Sequence, residues 1–443
     1  MFDLVIEGNA YLNGILNKCC IGIENGKIAA IKKILKGERQ FDFGDKLILP
    51  AGIDVHVHFR DPGLTNKEDF QTGTEAAAFG GISCILDMPN TKPPVISRET
   101  LEEKLAIVKE KACIDFGLYS SVISKSNIKN IAEVCSAFKI YLGSTTGKLL
   151  YPDDRSLPKT LRDINLASRI PAIHAENEKI INNQLMKLDS AKTLHDHLTN
   201  RPNEAEFKAI RRLLNIAKRG MVLKNNARIH ICHVSCSESV NSIKRFKNQQ
   251  KIKPTNPSIK ITAEVTPHHL LLNEKYFGGP LGKVNPPLRT SKDQNALWLA
   301  LSEGTIDLLA SDHAPHTYDE KMQKFSEAPA GLPGVETMLP LMLSHLKHNH
   351  LSIETLVRAV SNTPAKIFNL PKGEISIGYD GDLIVVDFYK EERIKPKNLH
   401  SKCGWTPYEN NDAVFPIFSV VRGNVTVKDG NLEADPGWGK FYN

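Results

Sequence analysis

Short apolar runs rich in β-branched residues alternate with amphipathic stretches through the middle of this chain. Eight runs stand out: Leu47–His58, Ile82–Asp87, Ile114–Val122, Phe138–Leu142, Ala172–Ala175, Ile229–Val234, Ile259–Val265 and Ile306–Ala310. Between them apolar residues recur at helical spacing. Glu99–Lys111 carries Leu101, Leu105, Ile107 and Val108 on one face, and Glu206–Arg219 carries Phe207, Ile210, Leu213, Leu214 and Ala217. Strands that alternate with helices read as βα units around a parallel sheet. Eight units suggest a (β/α)8 barrel, although a doubly wound open sheet has the same local signature.

The two ends follow a different pattern. Residues 4–33 alternate apolar and polar around the turn Glu24-Asn25-Gly26-Lys27. The segment from 374 to 432 does likewise, with Gly378-Tyr379-Asp380-Gly381-Asp382 leading into Leu383–Val386 and Lys428-Asp429-Gly430 as a later turn. Such alternation predicts antiparallel sheet. The expected architecture is a TIM barrel over residues 47–372 and a small β-sandwich domain built from both termini, residues 1–46 and 373–443.

Composition narrows the class. A chain of 443 residues can bury a sizeable core, and its 41% apolar and 24% charged residues are ordinary for a globular protein. The net charge of +7 comes from scattered lysines, which fits a solvated surface and not a nucleic-acid footprint. The apolar run nearest to a membrane span, Leu47–Phe59, is too short to cross a bilayer and carries Asp54, His56 and His58. Met1–Asp3 followed by a strand-like Leu4–Glu7 shows no basic leader, so the expected location is the cytoplasm. The eight cysteines form no C-x-x-C pair and are expected to be reduced and buried. Cys232 and Cys236 flank His233, but two cysteines four apart without a second pair make a poor structural zinc site.

The candidate chemistry lies at the ends of the predicted strands. His56-Val57-His58 closes the first run, and residues two apart on a strand point the same way, so both imidazoles can face one metal. An H-x-H pair is commonly incidental, and a lone histidine in an apolar stretch is usually a satisfied core residue. Here, however, Lys139 lies in the fourth run, His174 near the end of the fifth, His233 near the end of the sixth, and Asp312 just after the eighth. Barrel enzymes hold their active sites at the C-terminal ends of the strands, and imidazoles with a carboxylate are what a hydrolytic zinc site needs.

Pro50-Ala51-Gly52-Ile53-Asp54-Val55-His56-Val57-His58-Phe59-Arg60-Asp61-Pro62-Gly63 resembles the first metal motif of the dihydroorotase family in the amidohydrolase superfamily. Asp87-Met88-Pro89-Asn90-Thr91, His174-Ala175-Glu176, His233-Val234-Ser235, Glu264-Val265-Thr266-Pro267-His268-His269-Leu270, Asn285-Pro286-Pro287-Leu288-Arg289 and Ser311-Asp312-His313-Ala314-Pro315-His316 follow in family order. The resemblance spans essentially the whole chain. It implies a metal-dependent barrel that interconverts N-carbamoyl-L-aspartate and L-dihydroorotate in pyrimidine biosynthesis. It further implies two zinc ions per subunit, one held by His56, His58 and Asp312 and the other by His174 and His233. Lys139, carboxylated by CO2, would bridge them together with a hydroxide. Family members with an aspartate beside that position exist, but Asp153 and Asp154 lie too far downstream to substitute in register. By the same resemblance Asp312 is the catalytic proton shuttle. Arg60, Asn90 and His316 would clamp the substrate's carboxylate, beside His58. Asn285 and the backbone of Ala330-Gly331 would read the ring amide edges, under a polar loop over Thr317–Pro329.

Two other readings belong beside this one. Hydantoinases, dihydropyrimidinases and allantoinases share the barrel, the metals and the lysine, but only a substrate with a free carboxylate rewards Arg60 after the H-x-H-F stretch. A catalytically dead scaffold subunit would have lost ligands, and here the set is intact. Homo-oligomerisation and association with aspartate transcarbamoylase both remain open at this level.

Overall fold

A computed structural model of the chain describes residues 1–123, 126–147, 149–151, 155–187, 191–218, 227–252 and 259–443. Asp153, Asp154 and the last residue of the predicted helix ending at Arg219 lie outside the described residues. The chain opens with four strands, β1 (Phe2–Leu12), β2 (Ile15–Glu24), β3 (Lys27–Lys32) and β4 (Gly37–Pro50). Eight barrel strands follow: β5 (Gly52–Val57), β6 (Ile82–Asp87), β7 (Asp115–Ser121), β8 (Ala137–Tyr141), β9 (Pro171–His174), β10 (Ala227–Ile231), β11 (Ile259–Val265) and β12 (Leu308–Leu309). The chain ends with β13 (Leu383–Val386), β14 (Glu391–Arg393), β15 (Asp412–Val414), β16 (Phe418–Val421), β17 (Asn424–Lys428) and β18 (Asn431–Leu432).

Strands β5 to β12 form one parallel sheet in sequence order, and a parallel bridge from Val57 to His313 joins its two edges. The barrel is thereby closed next to Asp312. Each of the eight predicted runs overlaps one of these strands, three of which start one or two residues earlier than the run. The first run is in fact two strands: Leu47–Pro50 is the end of β4 and pairs with β13, and the barrel begins only at Gly52. An apolar run does not reveal that the chain changes sheets, because both sheets want apolar residues there.

The helices shield the barrel as their patterns predict. Helix Arg98–Lys111 starts at a Ser97/Thr100 capping box and buries Leu101 and Val108, but it also buries Lys104. Helix Asn203–Lys218 buries Ile210, Leu213, Leu214 and Ala217 and, again against polarity, Glu206. Both buried charges have partners near the active site.

Both termini contribute to a second sheet with the order β18-β17-β16-β13-β4-β1-β2-β3. It is one continuous sheet that bends back on itself, since the Gly381 N–H reaches the Gly26 carbonyl of the β2–β3 turn at 2.9 Å. Its core holds Leu4, Ile6, Ile21, Ile23, Ile48, Leu383, Val385, Phe418 and Val420. Strands β1 and β4 pair in parallel, not antiparallel, a distinction that alternation cannot carry because the period is two in both cases. All eight cysteines are free and buried. Among the described residues no helix is long and apolar enough to cross a membrane.

Candidate active site

The metal-ligand candidates converge at the C-terminal mouth of the barrel. His56 is the penultimate residue of β5 and His58 follows its end, with both rings on the same side. The Val57–His313 bridge brings Asp312 beside them: its Oδ1 lies 3.3 Å from His56 Nε2 and 3.1 Å from His58 Nε2. Lys139 projects from β8, with Nζ 3.3 Å from His56 Nε2 and donating to Cys232 Sγ at 3.0 Å. His174 ends β9, and its Nδ1 is 3.0 Å from Nε2 of His233, just past β10. Arg60, His233 and Asp312 all adopt positive φ, at 63°, 33° and 47°. Strained backbone of this kind is retained where the surroundings over-determine it, and it clusters at functional sites.

Behind these residues stands a layer of buried carboxylates to which the motifs alone assign no role. Glu264, in β11, accepts from His56 Nδ1 at 2.5 Å, from His230 Nε2 at 2.9 Å and from the His233 backbone N–H at 3.0 Å. Glu176 accepts from His174 Nε2 at 2.9 Å and is itself clamped by Arg201. Glu206 receives the Ser235 N–H, and Arg289 Nε donates to Ser235 Oγ. A signal for Glu176 exists, because it lies two residues after His174 on an extended segment. For Arg201 and Glu206 there is none, since they reach the site from a helix C-cap and a helix distant in sequence.

The charge distribution suits a cation. Burial lowers His58 to about 3, and it lowers His174 and His233 as well, so these three imidazoles are neutral. Burial opposes ionisation of Asp312, yet the charge on His56 above all holds its carboxyl well below the usual range. His56 is raised to about 10: burial and Lys139 push it down, but Glu264 and Asp312 outweigh them. The decisive contact is between His58 and Asp312. Neutral His58 spends its one N–H on Asn90 Oδ1, at 2.5 Å, whose amide nitrogen is fixed on the Thr146 carbonyl. Its Nε2 therefore meets an Asp312 oxygen lone pair to lone pair, an arrangement that a cation between them would relieve. The buried Nδ1 of His233 has no partner among the described residues. His56, His58 and Asp312 have ligand atoms within 4.8 Å of one another, as do His56, Cys232 and Glu264. Imidazole nitrogens and a carboxylate in such a cluster fit zinc.

A cavity of about 30 Å³ opens over these groups, lined by Arg60, Asn90, Tyr141, Asn285, Ala330 and Gly331 in addition to the ligand candidates. Arg60 is 1% exposed. Its Nε donates to the Pro315 carbonyl at 3.2 Å, and no carboxylate pairs with it among the described residues. Asn285 presents a buried Oδ1 without a partner among the described residues. His316 stands behind Arg60, 3.4 Å from its Nη2, and not in the cavity wall. Its Nδ1 accepts from Lys67 at 3.0 Å and its Nε2 meets the Ala330 carbonyl at 3.2 Å. The Thr317–Pro329 stretch contains a helical turn, Tyr318–Lys321, whose Lys321 is buried.

Comparison with known proteins agrees with this geometry. Residues 47–430 match the family model described as "Amidohydrolase family". A protein of Methanosarcina acetivorans named dihydroorotase is 40% identical, over 97% of this chain and 93% of its own length. One from Thermoplasma acidophilum with the same name is 35% identical, over 98% and 97%. Among solved structures, the L-hydantoinase (dihydropyrimidinase) of Arthrobacter aurescens superposes with a TM-score of 0.92 at 27% identity, covering 100% of this chain and 99% of that one. A D-hydantoinase from a Thermus species gives 0.89 at 25% identity, over 99% and 98%.

Proposed function

The chain belongs to the amidohydrolase family, and on that premise we propose that it is a dihydroorotase, cyclising N-carbamoyl-L-aspartate to L-dihydroorotate reversibly in pyrimidine biosynthesis. The observation that carries the choice of substrate is Arg60. A buried guanidinium that lines the cavity with no carboxylate partner is costly unless the substrate supplies the anion. Dihydroorotate carries a free carboxylate, and the rings of hydantoin and dihydrouracil do not. Arginine suits that carboxylate because it can bond it with two parallel N–H groups.

In this reading His56, His58 and Asp312 would hold one zinc ion, and His174 and His233 would hold a second. Lys139 would serve both ions as a further anionic ligand once its amine had added CO2 and released a proton, becoming a carbamate. When bound, zinc supplies Lewis-acid chemistry, acidifying water and polarising a carbonyl oxygen. The side chains do the rest. Asp312, ionised and facing the cavity, accepts the proton of the attacking water and returns it to the ring nitrogen as the amide bond breaks. In the biosynthetic direction the same steps run backwards: the ureido N–H gives its proton to Asp312 as the nitrogen attacks the protonated side-chain carboxyl, and Asp312 passes it to the oxygen that leaves as water. Arg60, with Asn90 beside His58, holds the carboxylate, while Asn285 and the Ala330-Gly331 backbone face the ring amide. His316 contributes by bracing Arg60 and the Ala330 carbonyl.

The test is substrate preference. Purified protein supplied with zinc and bicarbonate should hydrolyse dihydroorotate to carbamoyl-aspartate, with hydantoin and dihydrouracil poor substrates. A higher kcat/KM on either of those rings would favour a hydantoinase-type activity instead.

A further inference from the structure

Lys321 is the last residue of the Tyr318–Lys321 turn, and it is fully buried. Among the described residues no carboxylate neutralises it; burial and the neighbouring Lys283 push its ammonium down to about 7. Its Nζ instead donates to three backbone carbonyls, Lys283 at 2.9 Å, Pro329 at 3.0 Å and Gly331 at 3.0 Å, and stands 5.6 Å from the centre of the Trp405 ring. An ammonium has three protons, so all are used. A buried cation held by dipoles alone carries an uncompensated desolvation cost, which an apolar side chain of similar length would avoid.

The three carbonyls belong to the two segments that wall the cavity on its ring-reading side. Val284 and Asn285 follow Lys283, and Ala330 lies between Pro329 and Gly331. A trans peptide directs its C=O and N–H to opposite sides. Turning the Pro329 carbonyl onto Lys321 therefore aims the Ala330 N–H away from it, and turning the Lys283 carbonyl does the same for Val284. The Gly331 N–H bonds that same Lys283 carbonyl at 3.0 Å, so the ammonium and one backbone bond lock the two segments together. Gly331 has φ 146°, and a Cβ there would come within 2.4 Å of the Ala314 carbonyl, so the loop runs hard against the strand-end segment that follows Asp312. Across the cavity, Thr146 donates to the Ala330 carbonyl at 3.1 Å.

We propose that Lys321 is a positioning residue for the substrate site: its ammonium gathers the carbonyls of Lys283, Pro329 and Gly331 and so presets the Val284-Asn285 segment and the Ala330 N–H to receive the ring amide. The inference rests on reading this cavity as a cyclic-amide site, but its structural part can be tested without turnover. Lys321→Met keeps the chain length and removes the donors. The expected result is a KM for dihydroorotate about 10- to 100-fold higher with kcat changed less than about threefold, the mark of a loosened binding loop. Hydrogen–deuterium exchange should accelerate in peptides covering 283–288 and 326–334 and nowhere else in the barrel. Thermal stability should change little, because losing an uncompensated buried charge offsets leaving the Pro329 and Gly331 carbonyls without their donor. Lys321→Gln, which keeps two N–H donors without the charge, should fall between the two proteins in both KM and exchange. Unchanged exchange in both segments would overturn the proposal, and so would faster exchange throughout the barrel with a lower Tm, the signature of a general packing residue. If the wild-type protein does not turn over dihydroorotate, the substrate assignment fails, while the exchange measurement still decides whether Lys321 sets the loop.

Discussion

At φ 63° the Arg60 backbone occupies a region that costs a non-glycine residue about 1–3 kcal/mol, and the reward is a guanidinium aimed into the cavity. Replacing Arg60 with Met removes charge-assisted hydrogen bonds to the proposed carboxylate, each worth about 1.5–3 kcal/mol. KM for dihydroorotate should rise by at least about tenfold, and the preference over dihydrouracil should narrow. An unchanged preference in steady-state assays of both rings would move the determinant elsewhere. Asp312→Asn keeps the shape and removes the base, so turnover should fall by about two to four decades with the fold intact by circular dichroism. Activity above a tenth of wild type at every pH would refute the shuttle. On the proposed reading, Lys139 differs from the other candidate ligands in needing CO2 before it could bind a metal. Protein stripped of metal and bicarbonate should therefore regain activity with zinc only when bicarbonate is added, and mass spectrometry under native conditions should show the added carboxyl mass. Full recovery with zinc alone would count against the carbamate.

Elements carry these residues into place through a few buried polar nodes. Lys104, on the inward face of helix Arg98–Lys111, pairs with Asp87 at the end of β6 and donates to the Met88 carbonyl at 3.1 Å. Asp87 in turn accepts the Phe59 N–H at 2.6 Å. One ion pair thus ties helix, β6 and the segment after β5 together, immediately before Asn90 and Arg60. Lys104→Met would leave a buried carboxylate unpaired, a change that typically costs about 3–5 kcal/mol. Urea unfolding should show that loss, and adding Asp87→Asn should recover part of it. If Lys104→Met alone were neutral, the node would not be what fastens the helix to the strand.

For the whole molecule, the corresponding fastening is Lys372. Its fully buried ammonium lies 2.6 Å from Asp115 at the start of β7, 2.6 Å from Asp382 and 3.1 Å from Asp380, just before β13. Arg422, from the turn after β16, adds a second cation on Asp115 at 3.0 Å, and Tyr442 at the C-terminus donates to Asp380 at 2.6 Å. Barrel, terminal sheet and tail meet at this cluster, on the side away from the active site. Burial pulls the Lys372 pKa down, but Asp382 and Asp115 outweigh it and raise it well above the normal value. A raised lysine pKa gives stability that is complete below the unfolded value, near 10.4, and is lost only as pH climbs through the folded one. Lys372→Met should therefore lower unfolding free energy by about 3–5 kcal/mol, by a constant amount from about pH 6 to 9. A difference that varies strongly across that window would show that the carboxylates, and not the lysine, govern the cluster.

The succession of eight strands, the motif order and the placing of the candidate ligands from His56 to Asp312 at strand ends were legible in the residues themselves, whereas the closing of the sheet into a barrel was not. Each depends on a local property: a strand's apolar run, a two-residue repeat that turns His56 and His58 to one side, a residue type at a strand end. What tertiary structure alone decided is every pairing between distant positions. Alternation could not show that β1 and β4 run parallel, or that Leu47–His58 serves two sheets, because period two and apolarity are the same in either arrangement. The apolar face of helix Arg98–Lys111 gave no hint of Lys104, since a buried charge is intelligible only once Asp87 is seen beside it. Likewise His316 falls in the right motif yet braces Arg60 from behind, and Lys321 reads as one more polar loop residue. Its importance comes from three carbonyls, two of them eight and ten residues away and the third on a separate segment, that no spacing rule brings together.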